Sequence, residues 1–172
     1  MGDGPTLRTA RLSALPVTMW NAGYVAVELG LVVGLGPARG ARDGGSGGPL
    51  GGDATDLLRR DLRRRAAMDA QTMTWVVRDG GSRAIGLLTA DTRGQRVLVA
   101  ASIGKPYRRR GYATESIRAL ASWLESRPRT VVEARIRSSD LVAARLAIAT
   151  AFVPTSVVLG EVWRVWYRPP LT

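Results

Sequence analysis

The spacing of apolar residues changes partway along the second half of the chain, and this change limits the folds open to it. Residues 72–79, 83–91 and 95–104 form short apolar runs separated by the turns DGGS and TRG, as consecutive strands do. Residues 112–126 instead place apolar side chains at helical spacing. Only a short basic loop separates this helix from the preceding strand, so the chain predicts a mixed α/β fold.

The rest of the chain extends this pattern into a single domain over residues 1–172, with about seven strands and about four helices. A Gly-rich stretch from 34 to 52 cannot bury enough apolar surface to order itself and is predicted to be a mobile loop. The other predicted strands lie at residues 6–13, 130–137, 152–158 and 161–168, and the other helices at 17–36, 56–68 and 140–150.

The absence of two residue types narrows the chemistry. The chain contains no His and no Cys, which excludes disulfides, thiolate nucleophiles, Cys/His zinc sites and imidazole bases. No metal site is predicted. A general base must therefore be an Asp, a Glu, a Tyr, the terminal amine or a relayed water.

The charge balance favours anionic partners. The chain has 25 basic and 14 acidic residues, a net charge of +11, and Lys105 is its only lysine. A coding bias toward arginine is the alternative. The clusters at 59–65 and 107–111 lack the interleaved aromatics of a single-strand platform, and no helix-turn-helix pattern is present. Nucleic acid is therefore expected to bind only non-specifically, through charge.

No targeting or membrane segment is evident. The first ten residues lack an apolar core. The apolar run at 24–36 contains Glu28 and is shorter than the roughly 18 residues of a membrane span. We expect a cytoplasmic protein without a membrane partner.

The segment GKPYRRRGYATES, residues 104–116, joins a predicted strand to a predicted helix through a basic loop. The first turn of a helix presents unpaired N–H groups and a positive dipole end, which suit a phosphate. Gly111 lets a ligand approach the backbone, and Ala113 keeps the next turn small. The segment predicts a pyrophosphate site, although Arg-Gly pairs also precede helices that bind nothing.

Residues 101–115 resemble the strand end and pyrophosphate loop of the GNAT superfamily of acetyl-CoA-dependent N-acetyltransferases, whose pattern R/Q-x-x-G-x-G/A appears at 108–113. Residues 140–152 resemble a second family pattern, with Asp140 in place of the usual Asn. The N-terminal TLRTARLSAL is similar to the Rim-type branch, which acetylates protein N-termini and small amines. The resemblance implies a mostly antiparallel sheet of about seven strands, splayed between the fourth and fifth and flanked by about four helices.

The resemblance also implies which residues bind acetyl-CoA, with no metal. The end of the fourth strand would pair with the pantetheine arm, the loop would bind the pyrophosphate, and Asp140 would lie near the reactive end of the cofactor. The implied cofactor-binding residues are Ala101, Ser102, Ile103, Arg108, Arg109, Arg110, Gly111, Tyr112, Ala113, Thr114 and Asp140.

The catalytic residues of the relatives are not matched. Many relatives have a Glu where this chain has Leu98, and a Tyr where it has Ala147. Glu133 is the candidate general base that remains on the neighbouring strand, and a salt bridge to Arg135 or Arg137 is the alternative.

Tyr112 and Tyr107 are candidate proton donors, with packing as the alternative for each, and base and acid could both be water. Trp163, Trp166 and Tyr167 are predicted to be core or homodimer contacts, with a substrate cage as the alternative. The same prediction applies to Trp20 and Trp75.

The resemblance implies an N-acetyltransferase in which an amine attacks the thioester directly. The acceptor is an amine-bearing small molecule or a protein N-terminus or lysine, and the net charge favours an acidic one. Two alternatives stay open: a non-catalytic module that binds acyl-CoA and a partner, and a basic nucleic-acid-binding protein.

Overall fold

The computed structural model describes residues 4–18, 72–81, 83–160 and 162–169. The predicted helices at 17–36 and 56–68 and the predicted loop at 34–52 fall outside these ranges except for residues 17 and 18, and Trp20 is also outside them. The described elements are β1 (Leu7–Arg8), β2 (Leu12–Pro16), β3 (Thr72–Asp79), β4 (Ala84–Arg93), β5 (Arg96–Ile103), a 3₁₀ turn (Lys105–Tyr107), α1 (Tyr112–Glu125), β6 (Val131–Arg137), α2 (Leu141–Ala149), β7 (Val153–Leu159) and β8 (Trp163–Arg168).

The strands form one eight-stranded sheet in the order β1-β2-β3-β4-β5-β6-β8-β7. Every neighbouring pair is antiparallel except β5 and β6, which are parallel. The connection between these two strands runs through α1, as parallel strands require a crossover. The mixed α/β fold and the mostly antiparallel sheet are therefore confirmed.

The prediction of one continuous strand over residues 6–13 is wrong. The Thr9 N–H donates to the Leu12 carbonyl, and the Leu12 N–H donates to the Thr9 hydroxyl, both at 2.9 Å. These two bonds close a turn that the alternating pattern of apolar residues conceals. The segment therefore divides into β1 and β2, which raises the strand count to eight.

The sheet opens between its two parallel strands. β5 and β6 pair only at Arg96↔Val131, Val97↔Val132 and Leu98↔Glu133. Beyond Leu98, β5 stays paired with β4 as far as Ile103, while β6 stays paired with β8. A gap thus forms in the middle of the sheet, at the predicted splay between the fourth and fifth predicted strands.

The core lies between the sheet and α1, whose apolar face covers the strands. Leu120 and Leu124 are fully buried, and each such side chain contributes about 1.5–3 kcal/mol relative to exposure. Trp75 is also fully buried, meets Trp123 edge-on at 5.6 Å, and donates its indole N–H to the Pro5 carbonyl at 2.8 Å. The prediction that Trp75 belongs to the core is confirmed.

The aromatic residues of β8 divide between the two faces of the sheet. Trp166 is buried in the core, whereas Trp163 and Tyr167 are exposed. Alternation along the strand explains the division, because successive side chains point to opposite faces. In the part of the chain that the structure describes, neither helix has the length and apolar character that a membrane crossing requires.

Candidate functional site

The basic loop delivers the chain from β5 into α1 with its backbone donors exposed. Arg109 and Gly111 both adopt left-handed conformations, with φ of 61° and 81°. Gly111 is the N-cap and makes no side-chain cap, and the first helical bond runs from the Glu115 N–H to the Gly111 carbonyl at 3.0 Å. The N–H groups at the first three positions of α1 precede that bond, so they can donate to an anion.

Arg11, on the turn between β1 and β2, fixes the orientation of the loop. Its guanidinium Nη1 donates to the Arg110 carbonyl at 3.2 Å. A trans peptide places its C=O and N–H on opposite sides, so this bond directs the Gly111 N–H away from Arg11. A Cβ at Gly111 would lie only 3.3 Å from the Arg11 Nη2. The loop therefore accepts only a glycine here without strain.

Glu115 connects Arg11 to the first turn of α1. Its carboxylate accepts bonds from the Thr9 hydroxyl, from the Arg11 N–H at 3.2 Å, and from the Arg11 Nε and Nη2 at 2.8 and 2.5 Å. Partial burial acts to raise the pKa of Glu115, but the bonds from Thr9 and Arg11 and the charge of Arg11 outweigh it. The pKa therefore lies below its ordinary value of 4.5.

Thr9, Arg11 and Glu115 belong to this site although no sequence pattern predicts a role for them. The segment TLRTARL stood out only as a resemblance, and its partner Glu115 is 104 positions from Arg11. A contact so distant along the chain leaves no local pattern. The one sequence signal is that Glu115 is an acidic residue in the first turn of a helix that follows three arginines.

The arginines of the loop have different environments. Arg108 turns back and donates its Nε to the Ile103 carbonyl at 2.9 Å, which caps the end of β5. That carbonyl is therefore already engaged. Arg109 and Arg110 are exposed on the loop. No described ion pair holds their side chains, so both are available to an anion bound at the helix start.

Tyr112 is half-buried, and the Arg11 guanidinium lies 5.1 Å from the centre of its ring. Tyr107 is also half-buried, and both rings pack against the core. This arrangement supports packing roles for the two tyrosines, with a cation–π contact for Tyr112.

An open groove of about 600 Å³ runs beside the loop along the exposed side of α1. Gly111 and Thr114 line it, so the groove lies next to the first turn of α1 and its free N–H groups. Its other described lining residues are Arg8, Thr9, Arg11, Glu115, Arg118, Ala119 and Ser122. Three arginines against one carboxylate leave the groove positive, which favours an anion at the helix start.

A second cavity, of about 140 Å³, lies at the gap on the side of the sheet that α1 and α2 cover, and we call it the helix-side cavity. Val99, Ala100 and Ala101 of β5 form one wall, and the predicted residues Ser102 and Ile103 follow on the same strand, buried and outside the lining. Ala143 and Ala147 of α2 form the opposite wall, and their small side chains leave the space open. Because β5 has no partner strand along this edge, an extended ligand can lie beside it.

Asp140 begins α2 rather than facing the helix-side cavity. Its Oδ1 accepts the Ala143 N–H at 2.9 Å, and the residue is exposed. This is the ordinary geometry of an N-cap. The contact with the cofactor that the resemblance implies for Asp140 stays a prediction.

A third cavity, of about 220 Å³, lies on the opposite side of the sheet, and we call it the far-side cavity. Glu133 lines it and pairs with Arg96, with 2.7 Å between Oε1 and Nη1. Neither of the predicted partners is used. Arg137 lies over the Trp163 ring at 5.0 Å, and Arg135 lines the far-side cavity and also the helix-side cavity.

The predicted site residues thus form two groups joined by the gap. One group consists of the residues of the loop and of the first turn of α1. The other consists of the residues around the helix-side and far-side cavities, both of which Arg135 lines. Leu98 and Glu133, the last pair before the strands separate, lie beside this junction. An extended ligand anchored by the loop would bring its far end to the gap.

Comparison with known proteins identifies similar chains. Residues 51–152, more than half of the 172, match the family model described as "Acetyltransferase (GNAT) domain". No curated protein matches the chain in sequence.

Three solved structures illustrate the similarity in fold. An acetyltransferase from Agrobacterium tumefaciens is 19% identical with a TM-score of 0.63, covering 98% of this chain and 96% of its own. The ribosomal L7/L12 alpha-N-protein acetyltransferase RimL, in complex with coenzyme A, is 8% identical with a TM-score of 0.64, covering 95% and 97%. A chimera of the spermidine N-acetyltransferase SpeG from Vibrio cholerae is 12% identical with a TM-score of 0.61, covering 92% and 95%.

Proposed function

The chain belongs to the GNAT acetyltransferase domain family, and we propose that it transfers an acetyl group from acetyl-CoA to a primary amine. The acceptor amine belongs to a small molecule, a protein N-terminus or a lysine. The observation that carries this proposal is the gap between β5 and β6, because a cavity lies at it on each side of the sheet and β5, which borders both cavities, leads directly into the basic loop.

The residues present fit acetyl-CoA. The left-handed Gly111 and the free N–H groups of α1 suit its diphosphate. The unpaired edge of β5 at Ala101 and Ser102 suits the two amides of its pantetheine arm. Arg108 supports this edge by capping the Ile103 carbonyl rather than by binding the ligand.

The acceptor enters from the far-side cavity and meets the thioester at the gap. The acceptor ammonium first loses one proton to give the neutral amine. The amine nitrogen then forms a bond to the carbonyl carbon as the bond from that carbon to sulfur breaks, the nitrogen loses a second proton, and the thiolate gains one. The products are an N-acetylated amine and free coenzyme A.

Glu133 is the general base in this proposal. Arg96 occupies its Oε1 and fixes the side chain, and no described contact occupies Oε2. Glu133 lines the far-side cavity, where its free oxygen takes the ammonium proton directly or through one water. Because the rings of Tyr107 and Tyr112 both pack against the core, this proposal assigns protonation of the thiolate to water.

The test is calorimetric titration of acetyl-CoA into the wild-type protein and two glycine variants. Gly111→Glu places a carboxylate at the helix start and is expected to abolish binding. Gly94→Glu is the matched control, because Gly94 has a similar φ of 62° but lies in an open turn with nothing within 4 Å of an added Cβ. Equal binding by both variants would refute the loop as the diphosphate site.

Release of the coenzyme A thiol with a panel of amines then tests transfer. Stoichiometric binding without release for any amine would favour the alternative of a non-catalytic acyl-CoA-binding module. No binding of acetyl-CoA by the wild-type protein would overturn the proposed function.

A further inference from the structure

The charge of the far-side cavity limits the acceptor that it can take. Its described lining contains three guanidinium groups and one carboxylate, with apolar walls between them. Those lining residues are Arg93, Arg96, Leu98, Glu133, Arg135, Thr155, Val157, Leu159 and Val165. The described lining therefore has two net positive charges.

Two of the three arginines already have partners. Arg96 pairs with Glu133 at 2.7 Å, and Arg93 pairs with Asp91 at 3.1 Å. Arg135 makes no ion pair or side-chain hydrogen bond with any described residue, and its neighbour along the strand, Arg137, is occupied by stacking on Trp163. Among the arginines that line this cavity, Arg135 is therefore the one whose guanidinium has no anionic partner among the described residues.

Arg135 also has the right position. It lines both cavities, so it lies where the sheet opens. It is two residues from Glu133 on the same face of β6, about 7 Å along the strand. From these observations we propose that the acceptor is a primary amine with a carboxylate a few bonds from the nitrogen, and that Arg135 binds this carboxylate. The inference rests on the proposed function.

The forked donors of a guanidinium match a carboxylate with two parallel hydrogen bonds. The apolar side chains of Leu98 and Val165 border this position and lower the local polarity, which strengthens such a pair. A carboxylate bound there directs the amine of the same molecule toward Glu133 and the gap.

The positive cavity also affects the amine itself. Nearby cations disfavour an ammonium, so they shift the acceptor toward the neutral amine that attacks the thioester. An acceptor with several ammonium groups and no anion, such as spermidine, meets only repulsion from Arg135. The cavity thus selects against polyamines.

The test uses matched acceptors that differ by one carboxylate, with release of the coenzyme A thiol as the measurement. As a free amino acid, glycine is compared with glycinamide. As a peptide, the dipeptide amide Asp-Ala is compared with Asn-Ala, since its carboxylate lies close to the terminal amine. Spermidine is the polycation. We expect kcat/KM for the carboxylate-bearing member of at least one pair to be about tenfold higher or more, as a charge-assisted hydrogen bond provides. The pair that shows the larger ratio identifies the source of the carboxylate.

The variant Arg135→Glu is expected to remove this preference, and Arg135→Lys to retain part of it. Arg164→Glu is the control, because it makes the same change of charge at an exposed residue of β8 that is not among the described lining of either cavity. For Arg164→Glu, the ratio of kcat/KM between the paired acceptors should equal that of the wild type.

Turnover without preference for either carboxylate-bearing acceptor would overturn this inference and leave the proposed function intact. A preference that survives in Arg135→Glu would also overturn it. No thiol release with any acceptor would overturn the proposed function and this inference with it.

Discussion

Glu115→Gln tests whether the contact between the β1–β2 turn and α1 stabilises the fold as its geometry implies. The carboxylate accepts four hydrogen bonds from Thr9 and Arg11. An amide retains one acceptor oxygen but turns an NH2 group toward the Arg11 donors. Because the Arg11 side chain is 54% exposed, solvent screens the ion pair, and we expect a loss of about 1 kcal/mol in the free energy of unfolding.

For a chain of this size, such a loss lowers Tm by about 2–4 °C. Thermal unfolding followed by circular dichroism at pH 7 measures it. Arg11→Lys is the companion variant, because it keeps the charge but lacks the fork that reaches both Glu115 and the Arg110 carbonyl. We expect it to lose part of the same stability.

The difference between wild type and Glu115→Gln depends on pH in a defined direction. The pKa of Glu115 is lower in the folded protein than its ordinary value of 4.5, so the unfolded chain binds the proton more readily. The stabilisation is complete above about pH 5 and is lost as the pH falls through the folded-state pKa. A gap in Tm that stays the same from pH 7 to pH 3.5, or that is absent at pH 7, would refute this account.

Three further variants test individual residues. Gly111→Ala should destabilise the protein by about 1–2 kcal/mol, because its φ of 81° disfavours a side chain; an unchanged urea midpoint would contradict this. Asp140→Ala should cost about 1 kcal/mol of stability through loss of the N-cap, measured as a lower urea midpoint; calorimetry of acetyl-CoA binding by the same variant tests the implied cofactor contact, which a lower affinity would support and an unchanged affinity would contradict. Glu133→Gln should lower kcat about 100-fold and flatten its pH profile, and a kcat equal to that of the wild type would exclude it as base.

The local elements could be predicted from the sequence because their causes are local. The strand at 72–79 and the helix starting at residue 112 follow from apolar spacing and from Gly111 as a break. The parallel junction of β5 and β6 depends on distant pairing, and no local pattern sets its register. The resemblance to a family, rather than periodicity, indicated where that junction lies.

The partner of Glu133 could not be predicted for the same reason. Alternation along one strand suggested Arg135 or Arg137, but parallel pairing brings Arg96 from the neighbouring strand within 2.7 Å. The turn at Thr9 was also missed, since its two hydrogen bonds interrupt a segment whose apolar residues keep the alternation of a strand. Side-chain bonds to the backbone override propensity in such places.

The three residue pairs that join β5 to β6 also have a consequence for how the molecule opens. On one side of them β1–β5 form a continuous antiparallel ladder, and on the other side β6, β8 and β7 form a second. Few main-chain bonds cross this seam, so hydrogen exchange should divide the sheet into two cooperative units, with the β6–β8–β7 unit opening at a lower free energy than global unfolding. A ligand that lies along the edge of β5 would bridge the units and slow the exchange of both.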